Sequence, residues 1–362
     1  MVTDRAGLAA LLGDAYGLVG ARLRSLAGAS RPVFRVTLGG AGGWVLRVYP
    51  PGAGSDAQGD AAVLGFLQRR GYPAERVVPT RDGRPVARTA DGSPLLLTTF
   101  VAGRATGFTA PALRLLGAAV GRLHALPLDG TAPLRRATML PRGEVAYARS
   151  CLASVAGRVP RGLRRRYAEV ERALEALEWC GDLPDVLIHN DCHPGNSVRT
   201  PEGEAVLIDW DGAGRGPAVV DLGFLFVSCE ASAFGPNRLP PDPRRLAAVV
   251  DGYREHRTPS ADELDRLPSA IRFRSLVAAA GSLARRAEQE GPPGEDEPWW
   301  WRRFLAADEI AERARRHFEA TEGRVTDRTA SATLYVHRAG AVVRCRFDDS
   351  PHGNVMGHGE VD

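Results

Sequence analysis

Lysine is absent from this chain: its 47 Lys/Arg positions are all arginine. That excludes chemistry needing a lysine amine, such as a Walker-type P-loop lysine or a Schiff-base lysine. Cysteine is sparse, and its five copies at 151, 180, 192, 229 and 345 show no paired spacing. An odd, irregular set argues against a disulfide framework. No apolar run approaches the length of a membrane span, and residues 1–5 lead into a short Ala/Leu helix without a signal-like core. No membrane partner is expected, and a cytoplasmic location is the default. A dominant charge is missing too, since 43 acids leave a net charge of only +4. The densest basic cluster, Arg161, Arg164, Arg165 and Arg166, opens a predicted helix that continues through Glu169, Glu171, Glu175 and Glu178. This reads as a solvated helix face, and no nucleic acid partner is expected.

What is present concentrates between residues 186 and 226. The run Val186-Leu187-Ile188 leads to His189-Asn190-Asp191-Cys192-His193-Pro194-Gly195-Asn196. A second run, Val206-Leu207-Ile208, leads to Asp209-Trp210-Asp211, and Asp221-Leu222-Gly223 follows. With turn residues Thr200–Gly203 between them, the two runs read as a short hairpin that brings Asp191, Asn196 and Asp209 to one end. A carboxylate beside an attacking hydroxyl, plus oxygen ligands for Mg²⁺ on a nucleotide, is the equipment of phosphoryl transfer. The same residues leave another reading open: His189, Asp191 and His193, with Asp209, as a transition-metal site serving a hydrolase. Asp211 shares a face with Asp209 if the strand continues, but is read as a turn residue.

The pattern His189-x-Asp191-x4-Asn196, Ile208-Asp209-Trp210 and Asp221-Leu222-Gly223 resembles the aminoglycoside phosphotransferase and choline kinase-like family of small-molecule kinases. The resemblance implies an α+β, bilobal protein-kinase-like fold with a small antiparallel-sheet N-lobe and a mostly helical C-lobe. It further implies ATP (or GTP) and Mg²⁺ as cofactors and a small-molecule hydroxyl, on an antibiotic or a metabolite, as acceptor. Residue by residue, it makes Asp191 the catalytic base or hydroxyl-orienting carboxylate, Asn196 and Asp209 the Mg²⁺ ligands, and His189 and Asp221 supports of the catalytic loop. A non-catalytic nucleotide-binding relative is the alternative within the same fold.

The N-terminal part reads as a twisted sheet with strands near Arg22–Leu26, Val33–Leu38 and Trp44–Tyr49. The turn Ala27–Pro32 is a glycine-poor candidate for a phosphate loop. The resemblance puts a phosphate-gripping cation at Arg47, where protein kinases carry lysine; arginine keeps the charge and bonds phosphate bidentately but is bulkier. Asp60, on a helix expected from Asp60 to Arg70, is the candidate partner of Arg47. Leu95–Gly103 resembles the linker between lobes, with Thr98 C=O and Phe100 N–H as expected contacts to the adenine edge. The expected organisation is an N-lobe over 1–97, a hinge over 98–103, a C-lobe over 104–320 and a tail over 321–362. In the C-lobe, helices are expected at Arg161–Cys180, Arg244–His256, Ala261–Glu290 with a possible break near Pro268, and Trp299–Glu319. His124 reads as packing or capping. The acid-rich stretch Glu288–Glu297 beside Trp299, Trp300 and Trp301 reads as a solvated loop followed by core aromatics, with recognition of a cationic substrate as the sharper alternative. In the tail, Thr333–His337 and Ala341–Phe347 alternate as a hairpin, and His352 and His358 give a faint metal signal.

Overall fold

The computed structural model describes residues 5–26, 31–39, 41–128, 134–177, 182–230, 242–288, 296–320, 333–338 and 341–346. Its contacts divide the chain into two units, Met1–Arg315 and Arg316–Asp362.

The first unit opens with helix α1 (Arg5–Tyr16) and strands β1 (Arg22–Ser25), β2 (Val33–Leu38) and β3 (Ala41–Val48). Helix α2 (Gly54–Arg69) and strands β4 (Ala87–Arg88) and β5 (Pro94–Thr99) complete an antiparallel sheet in the order β1-β2-β3-β5-β4. Strand alternation decides what each face does. Leu46 and Val48 of β3 enter a core with Leu8, Leu12, Phe34, Val36, Leu95 and Leu97, against which Trp44 also packs. Arg47, between them, is therefore delivered to the opposite face. Helix α2 begins at Gly54, a turn and a half before the expected start, so Asp60 lies mid-helix instead of at its N-terminus.

The rest of the unit is largely helical, with β6 (Arg104–Ala105), α3 (Ala110–His124), α4 (Pro141–Val155) and α5 (Arg164–Glu175) first. Strands β7 (Asp185–Ile188), β8 (Ser197–Arg199), β9 (Ala205–Leu207) and β10 (Gly214–Pro217) come next. Helices α6 (Ala218–Glu230), α7 (Pro243–Tyr253), α8 (Ala261–Glu288), α9 (Asp296–Leu305) and α10 (Ala307–Glu319) follow, the last crossing the boundary between units. Helix α8 continues through Pro268. Trp299–Glu319 forms two helices, and Trp299, Trp300 and Trp301 are all buried; residues 289–295 of the acid-rich stretch lie outside the described residues. Helices α3 and α7 approach so closely that a Cβ on Gly117 would collide with Val249 O and one on Gly121 with Tyr253 O. That approach seats His124, at the end of α3, against Tyr253.

The expected hairpin needs a correction. Thr200–Gly203 does form a turn, but the strand before it is Ser197–Arg199, and β8 pairs with β9. The run containing Val186–Ile188 pairs instead with β10. The eight residues from His189 to Asn196 form a loop between β7 and β8, closed by a short 3₁₀ turn at Pro194–Asn196, so the two apolar runs cannot be hairpin neighbours. The second run still meets this loop at both ends, because Ile208 N–H donates to Asn196 O (3.0 Å) and Ile208 O lies 3.0 Å from His189 Nε2. No helix among the described residues is long and apolar enough to cross a membrane. In the second unit, β11 (Thr333–Arg338) and β12 (Ala341–Arg346) pair antiparallel; His352 and His358 lie outside the described residues.

Candidate active site

The loop after β7 is held from beneath by Asp221 on α6. Its carboxylate accepts the backbone N–H of His189 and of Asn190, each at 2.7 Å. His124 Nε2 lies 3.1 Å from the same carboxylate, and His124 Nδ1 lies 3.0 Å from Tyr253 Oη. A carboxylate only accepts, so Nε2 carries a proton and donates it to Asp221. Burial alone would raise the Asp221 pKa. The hydrogen bond from His124, with the His189 contacts, outweighs it and holds Asp221 below its ordinary value. Arg274 of α8, also buried, donates to Asn190 O. Asn190 sits at φ 73°, a left-handed conformation that Asn tolerates better than most residues.

Held in this way, the loop presents Asp191 with its side chain 37% exposed. Asn196 Nδ2 donates to Asp191 Oδ2 (2.8 Å) and to Asp191 O (3.0 Å), which commits the amide nitrogen and leaves Oδ1 as the acceptor end of the side chain. Asp209 follows β9 at φ 66°, with its side chain 47% exposed. His189 Nε2 bonds Ile208 O (3.0 Å) and His193 Nδ1 accepts from Gly195 N–H (3.0 Å). Among the described residues no group of three or more His, Cys, Asp or Glu side chains is arranged to hold a metal. The transition-metal reading of His189, Asp191 and His193 thus finds no support in the geometry of the described residues.

Arg47 is buried at the same site, but its partner is not Asp60. Its guanidinium donates to Glu75 through both terminal nitrogens (2.8 and 2.7 Å) and to Thr98 Oγ1 (3.1 Å). Glu75 also accepts from the Thr98 hydroxyl (2.6 Å) and from Asp209 N–H (3.2 Å). It thereby ties β3, β5 and the Asp209 turn together. Burial would lower the Arg47 pKa; the charge and hydrogen bonds of Glu75, then Asp211 and Asp209, outweigh it and raise it. Glu75 is held below its usual range by Arg47, against the opposing effect of burial. Asp60 is otherwise occupied, accepting from Tyr49 Oη (2.6 Å) and from Arg135. Tyr49 lies two residues beyond Arg47, on the same side of the strand. The acid mid-way along α2 therefore meets the tyrosine, and the loop after α2 supplies the acid for the arginine. Nothing in the spacing of Tyr72-Pro73-Ala74-Glu75 signals this role.

Two further residues belong here. Asp211 lies in the expected turn, yet Arg31 Nη2 pairs with it at 2.9 Å and Arg47 Nε lies 3.7 Å away. Burial, joined by the charges of Asp209 and Asp60 and opposed by Arg47 and Arg31, pushes the Asp211 pKa up to about 6. Arg31 also lies 4.4 Å from the centre of the Tyr49 ring; residues 27–30 of the expected phosphate turn are outside the described residues. In the linker, Phe100 N–H donates to Gly43 O (2.9 Å) and Thr98 pairs with Val45. Both backbones face β3, so neither expected group is turned to an adenine edge. Thr99, between them, turns its N–H away from β3 to Arg76 O (2.9 Å).

These features agree with comparison to known proteins. Residues 22–264 match the model of the phosphotransferase enzyme family. The chain belongs to that family. Its reaction class is therefore transfer of a phosphoryl group to a small molecule. A homoserine kinase of Brucella canis is 29% identical over 224 residues, which cover 58% of this chain and 65% of that protein. An uncharacterized protein of Deinococcus radiodurans is 28% identical over 295 residues, 78% of this chain and 83% of its own length. Among solved structures, an amicoumacin kinase in complex with AMP-PNP, Ca²⁺ and amicoumacin superposes with a TM-score of 0.62 at 19% identity, covering 86% of this chain and 94% of that one. A spectinomycin phosphotransferase bound to ADP and spectinomycin gives 0.57 at 14% identity, covering 88% and 98%. The family's protein-kinase-like α+β fold is that of this chain.

Proposed function

We propose that this protein is an ATP-dependent, Mg²⁺-requiring kinase that phosphorylates a hydroxyl of a small molecule at Asp191. The observation that carries this reading is the joint placement of Asp191, Asn196 and Asp209 at the ends of β7, β8 and β9, on a loop anchored by Asp221. Asp191 Oδ2 is engaged by Asn196, and Oδ1 is the atom that orients an acceptor hydroxyl and takes its proton.

The donor set suits Mg²⁺. An amide oxygen and one carboxylate are hard ligands, and Mg²⁺ is commonly held by one or two carboxylates together with substrate phosphates. Asn196 Oδ1 and Asp209 would hold the ion, which when bound neutralises charge on the phosphate oxygens. Arg47, fixed by Glu75 and 4.0 Å from Asp209 Oδ1, is positioned to grip the same phosphates. Thr99 C=O and Val101 N–H are the backbone groups for the adenine edge.

The test is turnover of labelled ATP against a panel of hydroxylated metabolites and antibiotics, with homoserine, spectinomycin and amicoumacin included. Asp209→Ala should abolish Mg²⁺-dependent nucleotide binding, because the charged ligand between protein and metal is lost. Asn196→Ala should weaken it less, since that ligand is neutral. Fluorescence titration with a nucleotide analogue, with and without Mg²⁺, measures both. Undiminished binding by the Asp209→Ala protein would overturn the metal assignment.

A further inference from the structure

A cavity of about 550 Å³ opens beside the β6–β8 pair, lined by residues 103–106, 199–201 and Gly203. It takes in neither Asp191, Asn196, Asp209 nor Arg47. Arg104 and Arg199 are directly opposed in the antiparallel register, so both side chains leave the same face of the sheet. Like charges placed opposite one another destabilise a strand pair, and this pair is only two residues long. Both arginines are exposed, and among the described residues no acid pairs with either. Glu202, in the adjoining turn, is held below its usual pKa chiefly by its own backbone N–H.

The cavity wall has a second polar feature. Thr106 is 7% exposed and lines the cavity, yet its hydroxyl has no hydrogen-bond partner. Such a group is destabilising unless something fills its bonding capacity. Gly103 forms the near edge, where a Cβ would collide with Arg199 O, so the backbone closes the cradle without a side chain. A volume of this size is within the range of small-molecule sites.

We propose that this cavity is a binding site for a compact oxyanion, a phosphate or carboxylate group carried by a small molecule, gripped by Arg104 and Arg199 and hydrogen-bonded by Thr106. Planar guanidinium groups bond such oxygens in pairs, and a hydroxyl donates one more bond. The site is separate from the nucleotide phosphates. Arg199 lies three residues along β8 from Asn196, about 10 Å at about 3.3 Å per residue.

The test titrates inorganic phosphate into the full chain by phosphorus NMR and calorimetry at constant ionic strength, first alone and then with saturating ADP and Mg²⁺. Saturable binding that persists with ADP present is expected. It should weaken about tenfold or more in Arg104→Ala and in Arg199→Ala, and several-fold in Thr106→Val, while ADP affinity is unchanged. If either alanine variant fails to fold, Arg104→Gln and Arg199→Gln keep a polar, hydrogen-bonding side chain without the charge. Absence of phosphate binding, its loss on adding ADP, or its survival in both arginine variants would each overturn the proposal. Should ADP itself not bind, the proposed function is in question, and the dependence of phosphate binding on Arg104 and Arg199 still decides this one.

Discussion

Asp191→Asn should leave the fold and the nucleotide affinity near those of the parent and lower turnover by about two orders of magnitude or more, the scale of general-base loss. The side chain is 37% exposed, so the substitution buries no new polar group. Asn196 Nδ2 donates to Asp191 Oδ2, and the new amide can still accept that bond through its own oxygen. The loop itself is fixed by Asp221 and Arg274, neither of which is altered. What is lost is the negative charge that draws the acceptor proton. Single-turnover kinetics with an acceptor identified in the screen, together with a nucleotide titration, separate the two effects. Turnover within a few-fold of the parent would show that another group takes the proton.

The grouping of the candidate residues was legible in the sequence where they lie within a few positions of their neighbours along the chain. Asp191 and Asp209 come within three residues of the apolar runs that precede them, Asn196 closes the loop that Asp191 opens, and turn chemistry at Thr200–Gly203 fixes where β9 begins. Partners brought in from a distance were not legible. Glu75 reaches Arg47 across 28 positions, and Asp60 was the acid that the family resemblance supplied in its place. Helix phase decides the matter: Asp60 meets Tyr49 and Arg135, and the loop after α2 carries Glu75 to the arginine. The strand partner of β7 was misread for a related reason. Two apolar runs flanking a turn look like a hairpin, and the short β8 lacks the hydrophobicity that would have marked it as the true neighbour of β9. The linker error is one of parity, since propensity does not say which edge of a strand a given N–H will face.

Glu75→Ala should produce the largest fall in stability of any single change in the site. The side chains of Glu75 and Arg47 are 3% and 7% exposed, so removing the acid strands a buried cation. Loss of one partner of a buried ion pair costs about 3–5 kcal/mol. At about 2–4 °C per kcal/mol for a large domain, the melting temperature should fall by roughly ten degrees. Function should suffer in parallel. Once released, the Arg47 guanidinium has Asp209 at 4.0 Å and Asp211 at 3.7 Å as its remaining anions. Turning toward them, it would neutralise the carboxylate proposed to hold Mg²⁺, and Asp209 N–H would lose its acceptor as well. Nucleotide affinity should drop tenfold or more, measured at a temperature where the variant remains folded. Asp60→Asn is the contrasting case, because Asp60 bonds Tyr49 and Arg135 and should leave nucleotide affinity within about twofold while lowering stability less. If Asp60→Asn cost more nucleotide affinity than Glu75→Ala, the helix acid would be the partner of Arg47 in the nucleotide-bound state, and the Glu75 pair would be confined to the empty enzyme.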